Sequence, residues 1–191
     1  MPALTAAGAP DPTSGGDFYC DANQVQGVWC TEVDLMEANV AALQATPHAC
    51  NASAPSGFVP VCDRGGCGAN TRAQQGALGP GPAFAINTQL PFTVSTSFPA
   101  PGGALAAMTT TAAQGGRAVL LSHTDASCGA GYLERVSAGL GAGMVPTLSL
   151  WGDEGSGGDM GWLDSPPCPA SQGCAGGALS VTYSALSVTD L

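Results

Sequence analysis

Three acids crowd into one short stretch, Glu32-Val33-Asp34-Leu35-Met36-Glu37, in a chain where charged residues make up only 9% of the total. Carboxylates held this close raise one another's proton affinity, so one can stay protonated while another is ionised near neutral pH. Whether they converge depends on the backbone. On a helix, Thr31 could cap and Val33, Met36, Val40 and Leu43 would form an apolar stripe. Glu32 and Glu37 would then point about 140° apart and share no chemistry. On a strand, Glu32 and Asp34 share a face, and Glu37 joins them only if a β-bulge between Asp34 and Glu37 absorbs the odd residue. Residue types alone leave a solvated acidic helix and a carboxylate site both open.

The elements that must position these acids are short. The chain has 191 residues, 45% of them apolar, enough for one domain with a single core. Its 28 Gly and 15 Pro predict many turns and few long helices. Phe84 to Phe98 alternates with Thr and Ser as a half-buried strand pair would. Arg117–His123, Met144–Trp151 and Leu179–Leu191 are further strand candidates, each bounded by Gly or Pro, whereas Pro99–Gly116 lacks a pattern and reads as loop. Short strands at close spacing predict an all-β sandwich of antiparallel strands. Met1–Gly16 reads as a flexible tail, without the basic and apolar regions of a signal peptide, and residues 17–191 as the folded domain.

Charge and cysteine usage narrow the partners. A net charge of −10 repels phosphate backbones, which excludes nucleic acid, while a neutral polymer would be indifferent to it. Apolar runs such as Ala118–Leu121 are far too short to span a membrane. Eight cysteines predict a disulfide framework and a secreted protein, and Asn51-Ala52-Ser53 is a glycosylation sequon in keeping with that. A zinc site built from Cys62, Cys67 and His48 is the competing reading, but the spacing is not that of a Cys-x2-Cys pair. No metal or cofactor is expected.

The run Glu32 to Asn39, Glu-Val-Asp-Leu-Met-Glu-Ala-Asn, resembles the Glu-x-Asp-x-x-Glu-Ala-Asn strand of glycoside hydrolase family 7, the fungal-type cellobiohydrolases and endoglucanases. Thr46-Pro47-His48-Ala49-Cys50 is similar to that family's Thr-Pro-His-x-Cys. Cys62 and Cys67 resemble its short cysteine loop, and Phe84 to Phe98 its next strand pair. Ser149-Leu150-Trp151-Gly152-Asp153, Trp162-Leu163-Asp164-Ser165 and Val181-Thr182-Tyr183-Ser184 resemble later blocks in the family's order. The resemblance covers the second half of the family's catalytic domain.

It implies a concanavalin-like β-jelly-roll, minimal or incomplete here, and retaining hydrolysis of β-1,4-glucosidic bonds with carboxyl groups about 5 to 5.5 Å apart. By motif position Glu32 is the nucleophile, Glu37 the acid/base and Asp34 the neighbour that orients and tunes the nucleophile. His48 lies on the leaving-group side, and Trp151, Trp162 and Asp153 bind sugar. The resemblance also implies the disulfides Cys20–Cys30 and Cys62–Cys67. Where the family's loop is lost, the simplest repair joins Cys50 to Cys128, and the remaining Cys168 and Cys174 close on each other. Trp29 and His123 match no functional position and read as packing and structural residues.

The expected partner is therefore a β-glucan, met by a monomer acting on internal bonds in an open cleft. A catalytically inactive glucan-binding or structural relic of the same fold is the alternative. Preserved acids speak against it, because a binding module has no reason to keep clustered carboxylates.

Overall fold

The computed structural model describes residues 19–51, 59–150, 161–165 and 180–185, with positions 7, 9 and 187. They fall into two units, Met1–Val145 and Pro146–Leu191. In the first, β1 (Glu32–Ala38), β2 (Leu43–His48) and β3 (Ala69–Asn70) form an antiparallel sheet in that order. Asn39 turns the chain from β1 into β2: its Oδ1 accepts the N–H groups of Ala41 and Ala42 at 2.8 and 3.1 Å, closing an Asx turn.

A second antiparallel sheet is the meander β6 (Thr93–Ser97), β7 (Met108–Gln114) and β8 (Arg117–His123). Gly115 and Gly116, with φ of 56° and 80°, make the tight β7–β8 turn, where both positions need the left-handed region. Two short strands, β4 (Leu78–Gly79) and β5 (Ile86–Asn87), pair in parallel beside these sheets.

Alternation explains the core. On β2, Leu43 and Ala45 are buried toward Met108 and Ala112 of β7, Val119 and Leu121 of β8, and Ile86 of β5, and Pro47 on the same face is buried as well. Burying these apolar faces stabilises the fold by about 25 cal/mol per Å². His123 ties the sheets together where they meet. It is 1% exposed, its Nε2 lies 3.0 Å from the Ala45 carbonyl and its Nδ1 3.3 Å from that of Met108. Burial pulls its pKa down, in keeping with the structural role read from the sequence. Trp29 packs against a separate small cluster of Ala22, Cys50, Val59 and Cys62.

Antiparallel β is thus the dominant class, as the turn-rich sequence predicts. The details differ in four places. The strand pair expected in Phe84–Phe98 does not form, because β5 pairs with β4 and β6 with β7. Pro99–Gly116, read as loop, contains β7: its Thr-rich run places Met108, Thr110 and Ala112 inward at a period of two. Met144–Trp151 and Leu179–Leu191 form no strand over their described residues. The fourth difference is helical. After α1 (Asp125–Cys128) comes α2 (Tyr132–Gly141), whose Tyr132, Leu133 and Val136 are buried against Ala49 and Leu105.

Disulfide connectivity also departs from the expectation. Cys20 is bonded to Cys30, but Cys50 pairs with Cys62 and Cys67 with Cys128, in place of Cys62–Cys67 and Cys50–Cys128. The reason is local. Cys50 and Cys62 face each other across an antiparallel bridge, with the Asn51 N–H donating to Val61 and the Asp63 N–H to Ala49, so their Cα atoms stand 3.9 Å apart. That leaves Cys67 to meet the end of α1. Cys168 and Cys174 lie outside the described residues.

In the second unit the four-residue helix α3 (Gly161–Asp164) buries Leu163 and Asp164, and the Tyr183 hydroxyl donates to the Ser149 carbonyl at 3.2 Å.

Candidate active site

The β1–β2 ladder decides which way the acids point. Glu32 is opposite His48, Val33 opposite Pro47, and Asp34 opposite Thr46; the register then slips, and Glu37 is opposite Gln44. The bulge between Asp34 and Glu37 sets Leu35 and Met36 against Ala45 alone, absorbing one residue. Glu32, Asp34 and Glu37 therefore share the face of Gln44, Thr46 and His48, opposite the apolar face of β2. This is the strand arrangement that convergence requires, and the helix alternative falls away.

His48 is the anchor of that face. Its Nε2 lies 3.0 Å from Asp34 Oδ2, and its Nδ1 2.8 Å from the Asp63 carbonyl. Burial alone would lower its pKa, but the bond to Asp34, the Asp63 carbonyl and the charges of Asp34 and Glu32 raise it to about 9. Glu32 accepts the Ala22 N–H at 2.9 Å through Oε2. Glu37 accepts the Thr46 hydroxyl at 3.3 Å, and Thr46 in turn accepts from Gln44, which is held by Asn70 on β3. Burial, then the Asp34 charge, pushes both glutamates up to about 7, against the pull of their hydrogen bonds and of His48.

Some supporting residues were not picked out from the sequence. The Asp21 Oδ1 accepts the N–H groups of Asn23 and Val25, and the Cys20–Cys30 bond closes the same loop, so the Ala22 N–H is aimed at Glu32. Tyr19 donates to Asp21 at 3.2 Å, and its pKa is raised by burial and by Asp21, Glu32 and Asp34. Gly66 has a φ of +62°, and a Cβ there would overlap Thr46 and lie 2.7 Å from His48 Cε1. An Asp opening an Asx turn and a Gly-Gly pair are visible in sequence as turn signals, but nothing in them points to this face.

Glu32, Asp34 and His48 each offer an atom within 4.8 Å of the others, a spacing that a cation could bridge. His48 is poorly suited to bind one, since both its nitrogens are engaged and the raised pKa keeps it protonated. A zinc site through Cys62 and Cys67 has no thiolates to use, because both are in disulfides. Of the expected sugar-binding residues, Trp162 lies on α3 in the second unit, 40% exposed, and Trp151 and Asp153 lie outside the described residues.

Comparison with known proteins converges on one family. The model of glycosyl hydrolase family 7 matches residues 17–128. A probable endo-beta-1,4-glucanase celB of Aspergillus clavatus is 33% identical over 90% of this chain and 50% of its own. Endoglucanase 1 of Pyricularia oryzae is 32% identical over 89% of this chain and 50% of its own, and endoglucanase EG-1 of Hypocrea jecorina 30% identical over 83% and 39%. The chain spans about half the length of the curated relatives it matches. A GH7 family cellobiohydrolase from Daphnia pulex aligns at a TM-score of 0.48 and 21% identity, over 59% of this chain and 36% of that one.

Proposed function

The chain belongs to glycosyl hydrolase family 7, and from that membership and the acid face of β1 we propose that it hydrolyses internal β-1,4-glucosidic bonds with retention. The observation that carries this is the bulge between Asp34 and Glu37, which turns all three acids toward His48.

The roles follow from what each carboxyl touches. Glu32 has a fixed backbone donor, the Ala22 N–H, and a cationic neighbour in His48, both of which favour its anion. It is the nucleophile that attacks the anomeric carbon. Glu37 is held by side-chain donors, the Thr46 hydroxyl and Gln44; it holds the proton given to the leaving oxygen and then takes one from the water that opens the glycosyl-enzyme. Asp34, paired with His48, fixes the geometry between them. The substrate is a β-glucan bound by a monomer outside the cell, in keeping with the disulfides and with a net charge that does not oppose a neutral polymer.

The test is release of a fluorophore from a β-cellobioside or β-lactoside by the oxidised chain, with Glu32→Gln alongside. Release by the parent alone supports the reading. Equal release by both overturns it, and binding without release by either would assign a glucan-binding role instead.

A further inference from the structure

The turn from Asp63 to Cys67 is held at both ends by the α1–α2 segment. At one end the Tyr132 hydroxyl lies 2.9 Å from Asp63 Oδ2 and 3.1 Å from the Pro47 carbonyl, and it accepts the Ala49 N–H at 3.2 Å. At the other, Cys67 is bonded to Cys128, the last residue of α1. Between these anchors the turn carries both groups that fix His48: the Asp63 carbonyl on Nδ1, and Gly66 against the ring. Tyr132 is itself well placed to bear on this turn. It is 6% exposed, it opens α2, and the Asp125 carboxylate fixes that helix end by accepting the N–H groups of Gly131 at 2.8 Å and Leu133 at 3.0 Å.

We propose that Tyr132 is a positioning residue for the acid cluster, acting through Asp63 to aim His48 at Asp34. The proposal rests on the hydrolytic reading of that cluster, but its geometry can be read without turnover. A single phenol hydroxyl joins the end of β2 to the side chain of Asp63, so the carbonyl of the same residue keeps its bearing on His48 Nδ1. With Nδ1 fixed, the ring has one orientation left, and Nε2 faces Asp34. Without the hydroxyl, Asp63 Oδ2 loses its buried donor, and the residue is held only by the Gly65 N–H on Oδ1 at 3.1 Å, the Gly66 N–H on its carbonyl at 3.2 Å and its own N–H on the Ala49 carbonyl, so the bearing of the carbonyl on Nδ1 loosens.

The groups facing His48 are Asp34 and Glu32 from β1 and the Asp63 carbonyl from the turn, with Glu37 contributing its charge from beyond the bulge. Arg135, 5.4 Å from the Tyr132 ring centroid, faces Tyr132 from its own helix. The chain has only two histidines, and His123 is buried elsewhere, so the His48 imidazole can be followed by NMR as pH is varied.

The experiment titrates His48 in the full oxidised chain and in Tyr132→Phe, Asp63→Ala and Asp63→Asn. Tyr132→Phe and Asp63→Ala should each weaken proton binding at His48 by about threefold to tenfold, whereas Asp63→Asn, which keeps an acceptor for the hydroxyl, should stay near the parent. With a cleaved substrate, kcat should fall with KM little changed. A folded Tyr132→Phe whose His48 titrates like the parent overturns the proposal. Loss of the fold in both Tyr132→Phe and Asp63→Ala also overturns it, because the hydroxyl would then be holding the domain together rather than aiming a ring. A parent that releases no sugar but whose His48 shifts as stated would count against the hydrolytic reading and leave the clamp standing.

Discussion

His48 reaches diagonally across the β1–β2 ladder to Asp34, at 3.0 Å, rather than to Glu32, its register partner. The choice neutralises the middle acid of the three with a cation and leaves the outer two to share what protons remain. Both glutamates still sit near 7, because burial and the Asp34 charge outweigh the donors they have found.

Replacing Asp34 by Asn tests this pairing. The carboxylate is both hydrogen-bond partner and counter-charge for His48, so its loss should bring the imidazole from about 9 down toward its ordinary value of 6.5, read by NMR. An imidazole that stayed near 9 would mean that the Asp63 carbonyl and Glu32 alone maintain its charge.

Stability should fall as pH rises. Glu32 and Glu37 bind protons more tightly in the folded chain than their usual 4.5 allows, so the fold is relatively favoured while they are protonated and loses ground between about 4.5 and 7. His48 works in the same direction higher up: its stabilisation is complete below 6.5 and is lost as pH passes about 9. Melting temperatures of the oxidised chain should therefore decline from pH 5 to pH 9. Replacing both Glu32 and Glu37 by Gln should flatten the first part of that decline and leave the second in place, reduced by the share of the Glu32 charge in raising His48.

Gly66→Ala should destabilise the chain and disturb the site together. The position has a φ of +62°, and the added methyl would overlap Thr46 and press on His48. Left-handed strain and a crowded contact together cost roughly 3 kcal/mol. Denaturant unfolding measures that loss. A change near zero would show that the 63–67 turn can move away from His48 freely.

Much of the site was legible because a period of two constrains it so tightly. Once Glu32 and Asp34 are set on a strand, only a bulge brings Glu37 to the same face, and the ladder has one there. The disulfides were not legible in the same way. Cys50 and Cys62 meet because Asn51 and Asp63 exchange backbone hydrogen bonds with Val61 and Ala49, a pairing across a loop that no local pattern announces. Tyr132 escaped for a similar reason: its partners are Asp63 and Pro47, far away in sequence, and the helical spacing of Leu133, Val136 and Leu140 marks an apolar face without saying what the phenol hydroxyl beside it meets. β7 was missed because Thr and Ala can fill inward positions as well as outward ones when the facing sheet is close.

The two proposed carboxyl roles can be separated by the leaving group. If Glu32 is the nucleophile, Glu32→Gln cannot form the covalent intermediate, and turnover should drop by more than about a thousandfold whichever aglycone the cellobioside carries. Glu37 acts first as an acid, and an aglycone that departs readily as its anion needs little protonation. Glu37→Gln should therefore slow release of a poor leaving group such as methylumbelliferone far more than release of dinitrophenolate. With the dinitrophenyl substrate the first step would remain fast while the second, now without a base for water, would lag, so a burst of dinitrophenolate followed by slow turnover is the expected trace. The burst in Glu37→Gln and its absence in Glu32→Gln would assign both residues in one experiment. The opposite pattern would exchange their roles, and equal losses on both substrates would mean that neither carboxyl acts on the leaving group as the bulged strand suggests.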